Sequence, residues 1–406
     1  MIEIARIAVC ETNYTKEVFM RFKTVLILIL AGFMGFGSLS PAAAEELYIG
    51  CVLDFSGDTA FFDVPNYEGI KLAVEELNAA GGIGGKLKIQ LVAKDFRNDA
   101  TEAVSATKAL LDEGAHVIIG PTSTMLAITV GKQAREKQIP TVYPLASPPF
   151  ITKEVGPYGF LVTFGDNVQA AVIATYAAEI GHKAAYTMPS PDDPYTDFIP
   201  KYFEKKFAEL GGKVVGSTTW SFTQTEFTVE ARKIKKHEPK PDMIMSPAFG
   251  PFYAGLLKSL RMSGVQTPYF GVDALDEPSA LSLGSVTEGV VFPSPSFSSE
   301  GNSMFVFNEK YKAKYGKESI SQYPALGYDA IKVIEAAVIK AGTTDGKAIR
   351  DAMAGLVDVQ GATSKITYAG TKYNVPIREI AICQMKGGNK TLVKYMQLKP
   401  EEIPEP

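Results

Sequence analysis

Histidine and cysteine are nearly missing from this chain. The three histidines in 406 residues, His116, His182 and His237, are too scattered to build a metal centre, and none has an evident nucleophile as partner. Of three cysteines, Cys10 lies ahead of an export-like segment, which leaves Cys51 and Cys383. Both sit in apolar, strand-like surroundings, so a disulfide scaffold is excluded. The two either pair with each other or, as the setting favours, stay as buried free thiols. Nucleotide and hydrolase signatures are missing as well. There is no Gly-x-x-x-x-Gly-Lys-Ser/Thr, no Gly-x-Gly-x-x-Gly following a strand, and no Gly-x-Ser-x-Gly elbow. An enzyme is not expected, nor a metal or cofactor. A net charge of −4 argues against a nucleic-acid surface. No Pro- or Ser-rich linker or low-complexity tract divides the chain.

The amino-terminal segment reads as a targeting signal. Arg21 and Lys23 precede an apolar run from Thr24 to Phe36, and Ala42–Ala44 offers an Ala-x-Ala cleavage site. The run is shorter than the roughly 20 residues that span a bilayer. The signal begins naturally at Met20, so residues 1–19 read as an upstream over-extension, residues 20–44 as a signal peptide cleaved near Ala44, and the mature protein as periplasmic. A lipid-modified cysteine would close the apolar run directly, whereas Cys51 lies beyond Glu45 and Glu46 inside a strand pattern.

The remaining residues, about 360, exceed one compact core and predict two domains. Strand and helix alternate from Leu47. A strand over Leu47–Leu53 ends in a loop, Asp54–Asp63, and an amphipathic helix over Tyr67–Ala80 stops at Gly81-Gly82. The glycine-rich loop 81–85 follows a helix and precedes a strand, the reverse of a dinucleotide cradle. A strand over Lys86–Lys94 and a helix capped at Asn98-Asp99 follow. This β-α-β-α-β-α-β order predicts a doubly wound parallel sheet with the loops Asp54–Asp63, Pro121–Thr124 and Pro144–Ser147 on one edge. The rhythm repeats from Ala184 to Val272, predicting a second sheet. Phe160–Phe164, Val290–Pro293 and the stretch 365–375 are expected to cross between the lobes. Three crossings make a hinge, able to enclose a small molecule.

One stretch carries chemistry. Val117–Ile119 reads as a strand, Gly120-Pro121 as a turn, and Thr122, Ser123 and Thr124 open a helix running to about Lys137. Free backbone N–H groups and hydroxyls at a helix start suit an anion, and without a lysine in the turn a small carboxylate is the better guest. A plain helix cap is the alternative.

The segments Ile49-Gly50, Ser56-Gly57, Glu68–Gly85, Ile118–Pro121, Ile139-Pro140 and Gly327-Tyr-Asp-Ala330 together resemble the leucine/isoleucine/valine-binding proteins, extracytoplasmic receptors of branched-chain amino-acid ABC transporters. The resemblance runs from about 47 to 385. It implies the type I periplasmic binding fold: α/β, with two doubly wound parallel-sheet lobes joined by a three-segment hinge. The lobes are expected at 45–162 plus 294–365 and at 163–293 plus 366–406. It also implies an ABC permease and its ATPases in the inner membrane as partners.

A ligand site is implied too. Thr124, with Ser123 beside it, matches the place of a carboxylate-binding hydroxyl. Leu145 and Ser147 match a backbone carbonyl and a hydroxyl that hold the ammonium and carboxylate. Asp273 matches an acid from the second lobe that pairs with the ammonium. Tyr195, Phe249 and Phe62 match aromatics of the cleft. Each also has a plain reading, as a cap, a turn hydroxyl or ordinary packing. Leu145 is bulkier than usual, and Phe62 and Phe249 stand where tyrosines are common, making the cleft more apolar. A small amino acid, apolar, branched-chain or aromatic, is expected. The alternative is the same fold holding an aromatic carboxylate or short amide, or serving as a sensory co-receptor.

Overall fold

The computed structural model describes residues 46–319 and 321–406. The over-extension, the signal peptide and its cleavage site lie outside the described residues.

The first half of the fold alternates β1 (Glu46–Leu53), α1 (Ala60–Ala79), β2 (Lys88–Asp95), α2 (Ala100–Asp112), β3 (Val117–Ile119), α3 (Thr124–Glu136), β4 (Thr141–Tyr143), α4 (Phe150–Val155) and β5 (Gly159–Leu161). Its strands form one parallel sheet in the order β2-β1-β3-β4-β5. β1 is buried on both faces beyond Glu46, which is why it reads as an unbroken apolar run. Leu47, Ile49 and Cys51 pack with Ile70 and Val74 of α1, while Tyr48 and Val52 pack with Leu110 of α2.

The second half continues with α5 (Asp166–Glu179), β6 (Ala184–Thr187), α6 (Pro194–Glu209), β7 (Lys213–Ser217), α7 (Thr228–Lys236), β8 (Met243–Met245), α8 (Gly250–Met262), β9 (Tyr269–Phe270), α9 (Pro278–Leu281) and β10 (Val291–Ser294). Next come α10 (Ser303–Tyr315), α11 (Tyr323–Ala341), α12 (Gly346–Ala354), the short strands β11 (Val359–Gln360) and β12 (Lys365–Ile366), and finally β13 (Ile380–Lys386) and β14 (Asn389–Met396). The second sheet has the order β14-β13-β10-β9-β8-β6-β7. It is parallel except for β13 and β14, which run antiparallel at one edge. α11 and α12 pack back into the core of the first sheet through Ala330, Ile334 and Ile349.

Two lobes therefore share the chain three times over, and several elements begin or end away from their expected positions. Gly159–Leu161 is the fifth strand of the first sheet, so the crossing starts only after Leu161. Val291–Ser294 pairs within the second sheet before the chain returns. The first helix begins at Ala60, seven residues earlier than its apolar pattern suggests, and carries Pro65 inside it. The proline costs one backbone bond, to the carbonyl of Phe61, a residue exposed enough for water to serve it. β14 has no forerunner in the sequence reading. Cys51 and Cys383 are free and buried in separate cores, so they do not pair.

Candidate functional site

Each sheet has one point at which strand order reverses. In the first, β1 carries β2 on one side and β3 on the other; in the second, β6 carries β7 and β8 likewise. Strand carboxyl ends diverge at such points and leave a crevice. Between the two sheets lies a cavity of about 490 Å³, lined from the first crevice by Thr59, Phe62 and Thr122–Thr124 and from the second by Asp193, Tyr195 and Phe249. All eight residues expected at the site line this cavity: Phe62, Ser123, Thr124, Leu145, Ser147, Tyr195, Phe249 and Asp273.

The polar end is built from both lobes. Gly120 lets the turn after β3 lie against Tyr143, since a Cβ there would come within 2.6 Å of the tyrosine ring. Ser123 is the N-cap of α3 but makes no capping bond with its side chain, and Thr124 is the first helical residue, almost wholly buried. The capping role is thus not what occupies either hydroxyl. The first turn of α3 holds no acidic residue, so its N–H groups and positive end remain open to an anion. Thr122 is otherwise engaged: its hydroxyl donates to Asp63 at 2.5 Å, and Asp63 also accepts from the Asp54 backbone at 2.9 Å.

Acids gather across the cleft. Tyr195 donates its phenol to Asp273 Oδ1 at 2.7 Å, while the Asp273 backbone N–H donates to Gln169 Oε1 at 3.1 Å. Gln169 Nε2 donates in turn to Asp166 Oδ1 at 3.0 Å, so one amide spaces two carboxylates. Burial pushes the Asp273 carboxyl above its ordinary range. It pushes Asp166 well above, with the Asp273 charge adding to the effect. Asp193, the N-cap of α6, is raised by burial too. No lysine or arginine occurs among the described residues that line the cavity. The site thus has acceptors in excess and lacks the cation that would neutralise them.

Two further groups escape sequence reading. Gln322 Nε2 donates to the Asp273 carbonyl at 2.8 Å, which orients the amide and leaves its buried Oε1 without a partner. The buried Tyr323 hydroxyl also has no partner. Both line the cavity at the start of α11, whose apolar pattern becomes legible only from Ala325. Asp193 was findable, as an Asp-Pro pair opening a helix. Leu145 turns its side chain into a small apolar cluster with Phe62, Tyr323 and Leu326.

The family model for periplasmic binding proteins matches residues 46–390. The chain belongs to this family. Among its relatives, a Leu/Ile/Val-binding protein (BraC3) of Rhizobium johnstonii is 24% identical over 87% of this chain and 94% of its own length. A leucine-binding protein of Thermotoga maritima, LivK, superposes with a TM-score of 0.77 at 25% identity, covering 88% of this chain and all of that one. A solute-binding protein from R. palustris solved with benzoate has a TM-score of 0.75 at 23% identity, covering 88% of this chain and 99% of that one. This periplasmic binding protein therefore has the two-lobed type I fold that it shares with LivK.

Proposed function

We propose that the protein is exported to the periplasm, captures an α-amino acid with an apolar side chain between its lobes, and delivers it to an ABC permease with its ATPases. In this reading residues 20–44 are removed on export, and the lobes are 45–162 plus 294–365 and 163–293 plus 366–406. Thr124, Ser123 and Ser147 with the N-terminus of α3 hold the carboxylate. Asp273 and Gln322 Oε1 accept from the ammonium, beside the Leu145 carbonyl. Phe62, Tyr195 and Phe249 enclose the side chain.

The observation that carries this reading is the charge pattern of the cavity, where buried Asp273 shares the lining with a helix N-terminus and no cationic side chain occurs among the described lining residues. A zwitterion satisfies both ends, whereas a simple aromatic carboxylate brings a second negative charge and leaves the acids uncompensated. Closure follows because the ligand touches both lobes.

Thermal denaturation with a panel of amino acids, aromatic carboxylates and short amides tests the assignment, since a ligand that binds only the folded state raises apparent stability. Stabilisation by an apolar amino acid is expected. A shift with benzoate or an amide, and none with any amino acid, overturns it. Asp273→Ala removes one member of a buried charge pair and should cost about 2–5 kcal/mol of binding, read by titration calorimetry. Unchanged affinity would remove Asp273 from the site.

A further inference from the structure

One wall of the cavity is built of flat rings, and their arrangement bears on which amino acid fits. Phe249 stands at its centre. Its ring centroid lies 5.7 Å from Phe222 at an interplanar angle of 85° and 6.0 Å from Phe252 at 88°. Phe222 and Phe252 stack on each other at 5.0 Å and 15°. Behind them Trp220 stacks on Phe222 at 5.5 Å and 27°. Trp220 is itself buried and anchored, its indole N–H donating to the Met188 carbonyl at 2.9 Å. From the opposite lobe Phe62 reaches Phe249 at 6.3 Å.

This wall is incompletely covered. Phe62, Phe222, Phe249 and Phe252 each keep accessible surface, and all four line the cavity. The Phe222–Phe252 stack rests on a buried tryptophan, which supports its exposed faces from behind and presents them to a ligand's side chain. A branched aliphatic side chain meets flat faces at few points and leaves gaps that forfeit dispersion contacts. A planar ring offers larger area and can adopt the edge-to-face and offset geometries that the wall already displays. The cavity, at about 490 Å³, has room for it.

We infer that the site is selective for aromatic over branched-chain aliphatic α-amino acids, with the Phe222–Phe252 stack and Phe249 as the specificity-determining residues. The inference rests on the amino-acid reading above. Titration calorimetry of the purified full chain with L-phenylalanine and L-leucine tests it. Phenylalanine should bind at least about ten-fold more tightly, equivalent to about 1.4 kcal/mol. Phe222→Leu, which keeps bulk but removes the ring, should narrow that ratio by about five-fold or more, and Phe252→Leu should do the same should the first variant fail to fold. Equal or tighter binding of leucine overturns the inference while leaving the amino-acid reading intact, as does a ratio unmoved in both variants. Failure of every amino acid to bind overturns both.

Discussion

Asp63 shows how one buried carboxyl ties the first half of the cleft together. It sits in the opening turns of α1, accepts from the backbone at the end of β1 and from Thr122 ahead of α3, and is fully buried. Burial raises its pKa from an ordinary 3.8 to about 7, against the lowering effect of those hydrogen bonds. A folded-state pKa above the unfolded one means that the folded protein holds the proton more tightly. The associated stability is fully present below about pH 3.8 and is lost as pH rises to about 7. Asp63→Asn, neutral throughout, has no such dependence. The stability of the native protein minus that of the variant should fall between pH 4 and pH 7 and level off above, by an amount on the order of a few kcal/mol at most, and the Tm difference should follow it. Parallel Tm profiles across that range, measured by scanning calorimetry, would show that Asp63 does not titrate there.

Among the elements, α1 and its crossing with α11 account for two of the motifs that carry the family resemblance, Glu68–Gly85 and Gly327–Ala330. Asn78, in the Asn-Ala-Ala-Gly-Gly segment, exchanges two 2.8 Å hydrogen bonds with the backbone of Ile89 and so sets the start of β2. A Cβ on Gly69 would lie 1.7 Å from the Pro324 carbonyl oxygen, and one on Gly327 would lie 2.2 Å from that of Asn66. The two glycines let the helix backbones touch. These motifs build the scaffold of the cleft and do not line it. Gly69→Ala and Gly327→Ala should each cost stability toward the upper end of the roughly 1–3 kcal/mol seen for overpacking, because the obstructing atoms are backbone. Urea denaturation at fixed ligand-free conditions measures this, and a change below about 0.5 kcal/mol would mean that the helices separate freely.

At the scale of the molecule, the hinge is held by a buried ion pair. Arg378, on the last crossing, donates to the Val162 carbonyl at 2.6 Å, also contacts Thr363, and lies 3.7 Å from Asp329 of α11. Asp329 accepts as well from the Ala362 and Thr363 backbone, while the Arg378 guanidinium carries the network to Val162 beside the first crossing. Burial raises Asp329 despite the neighbouring arginine, and lowers Arg378. Arg378→Met should destabilise by about 3–5 kcal/mol, since it strands a buried charge. Adding Asp329→Asn should recover part of that loss in chemical denaturation. A single variant as stable as the parent would show that the pair is dispensable to the hinge.

The alternation of apolar strand and amphipathic helix, written along the chain, by itself determined the doubly wound architecture. Local pattern decides which face of each element is buried. The same order located the strand ends that carry Thr124, Ser147 and Asp273. Other features required the tertiary structure. Helix α1 runs through Pro65 because its packing on β1 and α11 outweighs one lost backbone bond. β13 pairs antiparallel with the distant β10 without any local signature, whereas β13 and β14 meet across Gly387-Gly388, a two-residue hairpin turn that the sequence does display. Phe249, distant in sequence from Phe62 and lying on no shared pattern with it, meets that ring only because two lobes fold against each other. The partnerless Gln322 oxygen and the absence of a cation along the described lining are likewise properties of an assembled cavity. Sequence periodicity encodes burial one element at a time, whereas a cleft is defined by groups that several elements leave unsatisfied together.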